Sequence, residues 1–210
     1  MFLCVFCVLC VEKFVHAGDS LENGLALTPP MGWNTWNCFH GDIDEQKVRE
    51  VADALVSSGM KDAGYAYVCL DDGWASSRDA NGNIVADAQR FPSGIKALAD
   101  YVHSKGLKFG IYTSMTRLTG MQLPGSLGYE AQDAQQYAAW GVDYLKYDLT
   151  WYAGEDVPGQ CQIMARALLA TQRPIVFSIA TGWWPTPWLF SANIGNLWRV
   201  ALDIAPTFES

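Results

Sequence analysis

Basic residues are scarce in this chain and nowhere run together. Its 210 residues hold 14 Lys and Arg against 22 Asp and Glu, a formal charge of −8. With no Lys- or Arg-rich stretch, the sequence offers a polyanion no footprint, which argues against a nucleic-acid partner. Charged residues of all kinds reach 17%, below the roughly 25% of an average domain. Histidine is nearly missing: His16, His40 and His103 are the full set. None stands at metal-ligand spacing from another His or Cys, so no metal site is implied. A Gly-x-Ser-x-Gly elbow is lacking, which disfavours a serine hydrolase. So is a Gly-x-Gly-x-x-Gly turn after the first strand candidate, which argues against a dinucleotide-binding sheet. No organic cofactor is implied.

Long hydrophobic runs are also few. Residues 2–11 form an unbroken apolar run, too short to span a bilayer as a helix but of signal-peptide length. Val15-His16-Ala17 then offers small residues at cleavage spacing. The expectation is a signal over residues 1–17, a secreted or otherwise extracytoplasmic product, and no stable membrane insertion after cleavage. The segment lacks Lys or Arg ahead of the apolar run. A membrane-associated N-terminus and a spurious upstream start are the competing readings. Cys4, Cys7 and Cys10 would leave with the segment. Cys38, Cys69 and Cys161 remain, an odd set in which at least one thiol is free or pairs between chains.

What the chain does have is apolar and aromatic. Hydrophobic residues make up 50%, with nine Trp, nine Tyr and nine Phe. That composition excludes disorder, and ring faces also suit the C–H faces of sugars. Short apolar runs alternate with amphipathic stretches. Ala66–Leu70, Lys108–Tyr112, Val142–Tyr147 and Pro174–Ile179 read as strands. Glu45–Ser58, Gly94–Ser104, Tyr129–Trp140 and Cys161–Ala170 read as helices, three of them closed by Gly59, Gly106 and Gly141. Strand-then-helix alternation implies a parallel sheet. Polar residues recur where the strands end: Asp71, Asp72, Thr113, Asp148, Thr181 and Asp203. In a (β/α)8 barrel those ends converge on one mouth, so the expected fold is α/β of the TIM-barrel type.

The mouth suggests chemistry. Lys146 and Asp148 sit two apart on a strand and so share a face. Lys146 would hold Asp148 ionised, as a nucleophile or as half of a structural ion pair. Asp71 and Asp72 read as a pair with one acid inward and one over the rim, holding sugar hydroxyls or capping a turn. Trp198-Arg199 and Asp203 supply a second acid and a cation. Two carboxylates in an aromatic-rich mouth fit glycoside hydrolysis. His103 reads as a solvated helix residue.

The segment Thr28-Pro-Pro-Met-Gly-Trp-Asn-Thr-Trp-Asn37 resembles the N-terminal signature of the α-galactosidases of glycoside hydrolase family 27. Leu70-Asp-Asp-Gly-Trp74, Phe91-Pro-Ser-Gly-Ile95, Pro124-Gly-Ser-Leu-Gly128, Gly141-Val-Asp-Tyr-Leu-Lys-Tyr-Asp148 and Gly195-Asn-Leu-Trp-Arg199 extend the likeness from about Leu25 to Ile204. The resemblance implies retaining hydrolysis of a terminal α-linked galactose. Asp148 matches the nucleophile and Asp203 the acid/base. Asp71, Asp72, Trp33, Tyr112, Lys146 and Arg199 match sugar-binding positions. Other members act on α-N-acetylgalactosaminides or β-L-arabinopyranosides, and a non-catalytic carbohydrate-binding remnant is the reading from another class.

The departures are specific. Positions that often form two cystines look like Gly41 with Gly73 and Gly120 with Thr150, so those loops must hold by packing. Thr181 stands where a Glu often reads the sugar's 2-substituent, which makes the pocket there roomier. With a first strand in the N-terminal signature and a last near Leu197–Ala201, six strand candidates are present, and the chain is shorter than the ~250 residues of a full barrel. Residues 18–210 are therefore expected to be a partial catalytic domain, a fragment without the last strands or a C-terminal β-sandwich.

Overall fold

A computed structural model describes residues 23–150, 154, 156–182 and 184–203. The expected signal segment, Trp183 and Ile204 lie outside the described residues. Six strands form one parallel sheet: β1 (Met31–Asn34), β2 (Tyr65–Leu70), β5 (Lys108–Ser114), β6 (Tyr144–Asp148), β7 (Val176–Ala180) and β8 (Leu197–Trp198), paired in that order. The helices that follow them are α1 (Trp36–Phe39), α2 (Glu45–Ser57), α3 (Gly94–Ser104), α4 (Glu130–Trp140), α5 (Val157–Ala170) and α6 (Trp188–Ser191). This is an open stretch of barrel wall, the expected α/β architecture. No helix among the described residues is long and apolar enough to cross a membrane.

Each long helix follows from its sequence. In α2 the Asp44 carboxylate caps the first turn by accepting from Lys47 N at 2.8 Å, and Val48, Ala52 and Leu55 form the buried stripe. In α3 the stripe is Ile95, Leu98, Ala99 and Val102. α4 ends because Gly141 takes the left-handed conformation, φ 83°, that closes a helix C-terminus. α5 starts four residues earlier than its periodicity suggested. Asp156 caps it by accepting from Gly159 N, and Pro158 suits a first turn that needs no N–H donor.

The core lies between the sheet and these helices. Val68, Leu70, Phe109, Ile111, Leu145, Tyr147, Phe177 and Ile179 are all buried there. On β6 burial alternates with period two: Leu145 and Tyr147 are fully buried among the helices, while Tyr144, Lys146 and Asp148 take the other face. Parallel registry then sets Tyr112 beside Lys146 and Lys146 beside Ser178. The inward row of side chains is thus fixed by strand pairing.

One element was not foreseen. Between β2 and α3 the chain makes an antiparallel hairpin, β3 (Ala75–Arg78) and β4 (Ile84–Ala86). Arg78 anchors it with two bonds of 2.7 Å to the fully buried Asp133 and one of 2.8 Å to Gly125 O. His103 also differs from expectation. Its Nε2 lies 2.7 Å from Asp143 Oδ2, and Asp143 also accepts from Arg173 and Phe109 N. The residue is part of an interelement clamp that joins α3 to the start of β6.

Candidate active site

The C-terminal ends of the strands carry the acidic residues. Asp71, just beyond β2, is 2% exposed. Its Oδ2 accepts from Lys146 Nζ at 2.7 Å and from Asn34 Nδ2 at 2.7 Å. Its own N–H donates to Thr35 Oγ1 at 3.0 Å. Side chains from β1 and β6 therefore hold this carboxylate at the end of β2. Asn34 and Thr35 were not singled out in the sequence, although both stand inside the Trp-Asn-Thr-Trp motif. Their role depends on a contact with β2, which local spacing does not reveal.

Lys146 is the hub, but its ion pair is made with Asp71 and not with Asp148. Burial opposes the Lys146 charge, and the nearby Asp71 and Asp148 carboxylates outweigh it, raising its pKa. The ammonium also lies 5.1 Å from the centre of the Tyr112 ring.

Asp148 closes β6. Its Oδ2 accepts from the Tyr112 hydroxyl at 3.0 Å. Burial pushes its pKa above the usual aspartate value; the charge of Lys146 and the Tyr112 bond pull the other way without cancelling it. Lys146 favours the ionised form as expected, against a desolvation that is the larger influence on the shift. Burial likewise raises the Tyr112 phenol, so it stays a donor.

Neither acid of the pair leans over the rim, although one was expected to: Asp72 is turned inward as well. It is 3% exposed and accepts from Gly73 N at 2.8 Å and from Met121 N at 2.9 Å. A buried carboxylate needs such partners, and the N–H of the next residue and one from the loop after β5 supply them. Its pKa is raised, burial again being the largest cause.

The expected cystine positions are neighbours in space. A side chain at Gly73 would reach within 3.4 Å of the Gly41 Cα. The Met121 thioether fills that place, in the way of any Cβ at Gly41. A Cβ at Gly120 would lie 3.1 Å from the Thr150 methyl. Packing replaces cross-linking here, as the sequence suggested. Cys38, Cys69 and Cys161 are all free thiols. Burial lifts the Cys69 thiol to about 12, which leaves it unreactive.

A cavity of about 150 Å3 is lined by Asp71, Asp72, Tyr112, Lys146, Asp148 and Arg199, with Trp36, Gly120, Leu149, Thr150 and Asp203 completing it. Beside it, toward β1, opens a wider space of about 590 Å3 that Trp33, Trp36, Cys38, Lys146 and Asp203 share. Trp36 borders both; the sequence reading passed over it in favour of Trp33. Arg199 donates to Asp203 Oδ1 at 2.8 Å and to Ala201 O at 2.6 Å. The Asp203 side chain is 85% exposed. Thr181 borders neither space. It is fully buried, and its hydroxyl has no hydrogen-bond partner among the described residues. Among the described residues no cluster of His, Cys, Asp and Glu could hold a metal ion.

Fold and site together define a class: a parallel β/α barrel wall whose strand ends present several carboxylates, one cationic hub and aromatic rings to a small polar cavity. The model of the Alpha galactosidase A family matches residues 28–210, and the chain belongs to that family. It is similar to the alpha-galactosidase of Cyamopsis tetragonoloba, 53% identical over 191 residues that are 90% of this chain and 46% of that protein. The solved α-galactosidase of Saccharomyces cerevisiae covers 90% of this chain and 43% of its own at 40% identity, with a TM-score of 0.86. Another structure from that yeast was determined with raffinose. The chain spans less than half the length of these relatives.

Proposed function

We propose that the site serves retaining hydrolysis of terminal α-galactosides, with Asp148 as nucleophile and Asp203 as acid/base. One observation carries the reading. Asp148 ends a central strand, is bonded by Tyr112, lies in the field of Lys146, and shares a small cavity with a second, solvent-facing carboxylate. Two carboxyl groups of unlike environment on one cavity suit the two roles of glycoside cleavage.

In this reading Asp148 Oδ1, the oxygen not bonded to Tyr112, attacks the anomeric carbon. The bond to the aglycone oxygen breaks, and Asp203 gives that oxygen its proton. Asp203, now ionised, removes a proton from water, which attacks the galactosyl–Asp148 ester and releases galactose. Two inversions give net retention. Asp71 and Asp72 hold hydroxyls of the sugar, Lys146 and Arg199 donate to it, and Trp33, Tyr112 and Trp36 offer ring surface. Thr181 contributes at most through its neighbour Gly182, which packs on Arg199. Raffinose, the sugar found with the yeast enzyme, carries such a terminal galactose. Residues 1–17 serve as an export signal in this account, which N-terminal sequencing of the secreted product checks.

Proton NMR of the first-formed sugar tests the mechanism in the complete protein. The reading expects α-galactose first, followed by mutarotation. Release of the β anomer first would overturn retention.

A further inference from the structure

We propose that Met121 is an oxidation site that governs Asp72: its thioether is the wedge that keeps the loop after β5 donating an N–H to that carboxylate, and conversion to the sulfoxide withdraws the donor. What this does to a sugar rests on the reading of Asp72 as a hydroxyl-holding residue; the wedge itself does not.

The buried Asp72 carboxylate depends on donors from the protein. Gly73 N, on Oδ1, belongs to the next residue and stays with it. Met121 N, 2.9 Å from Oδ2, comes from 49 residues away. The Thr119 hydroxyl, on the same loop, also favours the charged form. That loop is a tight turn. Thr119 N donates to Leu123 O at 2.8 Å and Gln122 N to Thr119 O at 3.0 Å, with Gln122 at φ 62°. These bonds shape the turn but do not fix it against β2. The Met121 side chain does. Gly41 and Gly73 have no side chains where it lies. A Cβ at Gly41 would meet the Met121 methyl and come within 2.7 Å of its sulfur. One at Gly73 would come within 3.1 Å of the same sulfur. A single thioether thus joins three loops, and an unbranched, polarizable chain suits so irregular a gap.

The same residue is open to reagents. Met121 is 36% exposed and Met31 40%, whereas Met115 and Met164 are fully buried. A hydroperoxide is the oxidant class. The sulfur lone pair attacks the outer peroxide oxygen, and an S–O bond forms as the O–O bond breaks. Sulfur gives up two electrons. The departing oxygen takes the proton of the transferred one and leaves as water or an alcohol. The sulfoxide is polar where the thioether was apolar. Its oxygen seeks water, so the sulfur that bears it no longer packs on glycine backbone. Met121 then leaves its seat, and its N–H leaves Asp72 with it. Met31 lies on β1, whose residues 31–34 pair with β2, and its oxidation should not reach Asp72.

Hydrogen peroxide treatment of this chain, followed by peptide mapping and amide hydrogen exchange, tests the proposal without sugar. Met121 should be oxidised along with Met31 while Met115 and Met164 stay reduced. Exchange of the Met121 N–H should then be faster by about tenfold or more. Met121→Leu keeps the volume and has no sulfur, so peroxide should leave exchange at that amide unchanged. Met31→Leu should respond to peroxide as the parent does. Three results would each overturn the proposal: Met121 still reduced when Met31 is oxidised, unchanged exchange in chains oxidised at Met121, or the same acceleration in peroxide-treated Met121→Leu. Galactose affinity of the complete protein, measured before and after the same treatment, tests the reading of Asp72 separately. A loss of about tenfold is expected in the parent and none in Met121→Leu. Faster exchange with affinity unchanged would overturn the sugar-holding role of Asp72 and uphold the wedge.

Discussion

Asp148 and Asp203 border one cavity but belong to two kinds of structure. Asp148 ends a strand paired on both sides over five residues each, with its helix-side neighbours Leu145 and Tyr147 fully buried. Asp203 follows the two-residue outer strand β8, and a single described contact, the ion pair with Arg199, holds its largely exposed side chain. The opposite edge, β1, is exposed along its whole length. The centre of the sheet thus fixes a desolvated carboxylate in place, while the edge presents a solvated one. Changes at the centre should alter stability and chemistry together; changes at the edge should alter chemistry alone.

The largest expected effect lies in the ion pair that anchors the hairpin to α4. Asp133→Ala removes the partner of Arg78 and an acceptor for Ser126. Leaving that mostly buried cation with two carbonyls but no counter-charge should cost about 3–5 kcal/mol in chemical denaturation. A cost under about 1 kcal/mol would mean that water reaches the pair and that the hairpin is not anchored by it.

A change of opposite sign is expected at Asp148. An acid whose folded pKa is raised binds its proton more tightly folded than unfolded. Its ionisation therefore withdraws stability as pH climbs from the unfolded value through the raised one. Asp148→Asn, neutral at every pH, should melt higher than the parent at pH 7, with the gap closing below the ordinary aspartate range. An equal or lower melting temperature at pH 7 would show that Lys146 compensates the carboxylate fully. In the complete protein the same raised value places the acidic limb of kcat/KM above that of an ordinary aspartate.

At the edge, Arg199→Ala should leave the unfolding free energy within about 1 kcal/mol of the parent, as for other exposed pairs. It should lower kcat/KM at least about tenfold, or roughly 1.4 kcal/mol, since Asp203 and the sugar both lose a partner. A large loss of stability with little loss of activity would reverse the comparison. The smallest effect belongs to Lys96→Ala on the outer face of α3. Its pair with Asp100 is 61% and 58% exposed, and denaturation should not detect its loss.

Much of the centre was legible in the sequence. β-branched and aromatic runs marked the strands within one or two residues, and i,i+2 spacing put Lys146 and Asp148 on one face. The partner of Lys146 was not legible, because Asp71 lies 75 residues away and only the sheet order brings it near. The inward turn of Asp72 was hidden for the same reason: its carboxylate accepts from Met121 N, on another loop. The hairpin was missed because Ser76, Ser77 and Arg78 show no apolar run, although Asn81-Gly82 at its tip is a hairpin-turn signal. His103 looked solvated because Asp143 lies on another element.

The central claim is that Asp148 is the nucleophile. Its most direct test is Asp148→Ala in the complete protein, assayed on an activated aryl α-galactoside with and without azide. The account predicts a loss of several orders of magnitude in turnover without azide, and partial recovery with it as β-galactosyl azide forms in the vacated space. Turnover near that of the parent without azide would contradict it.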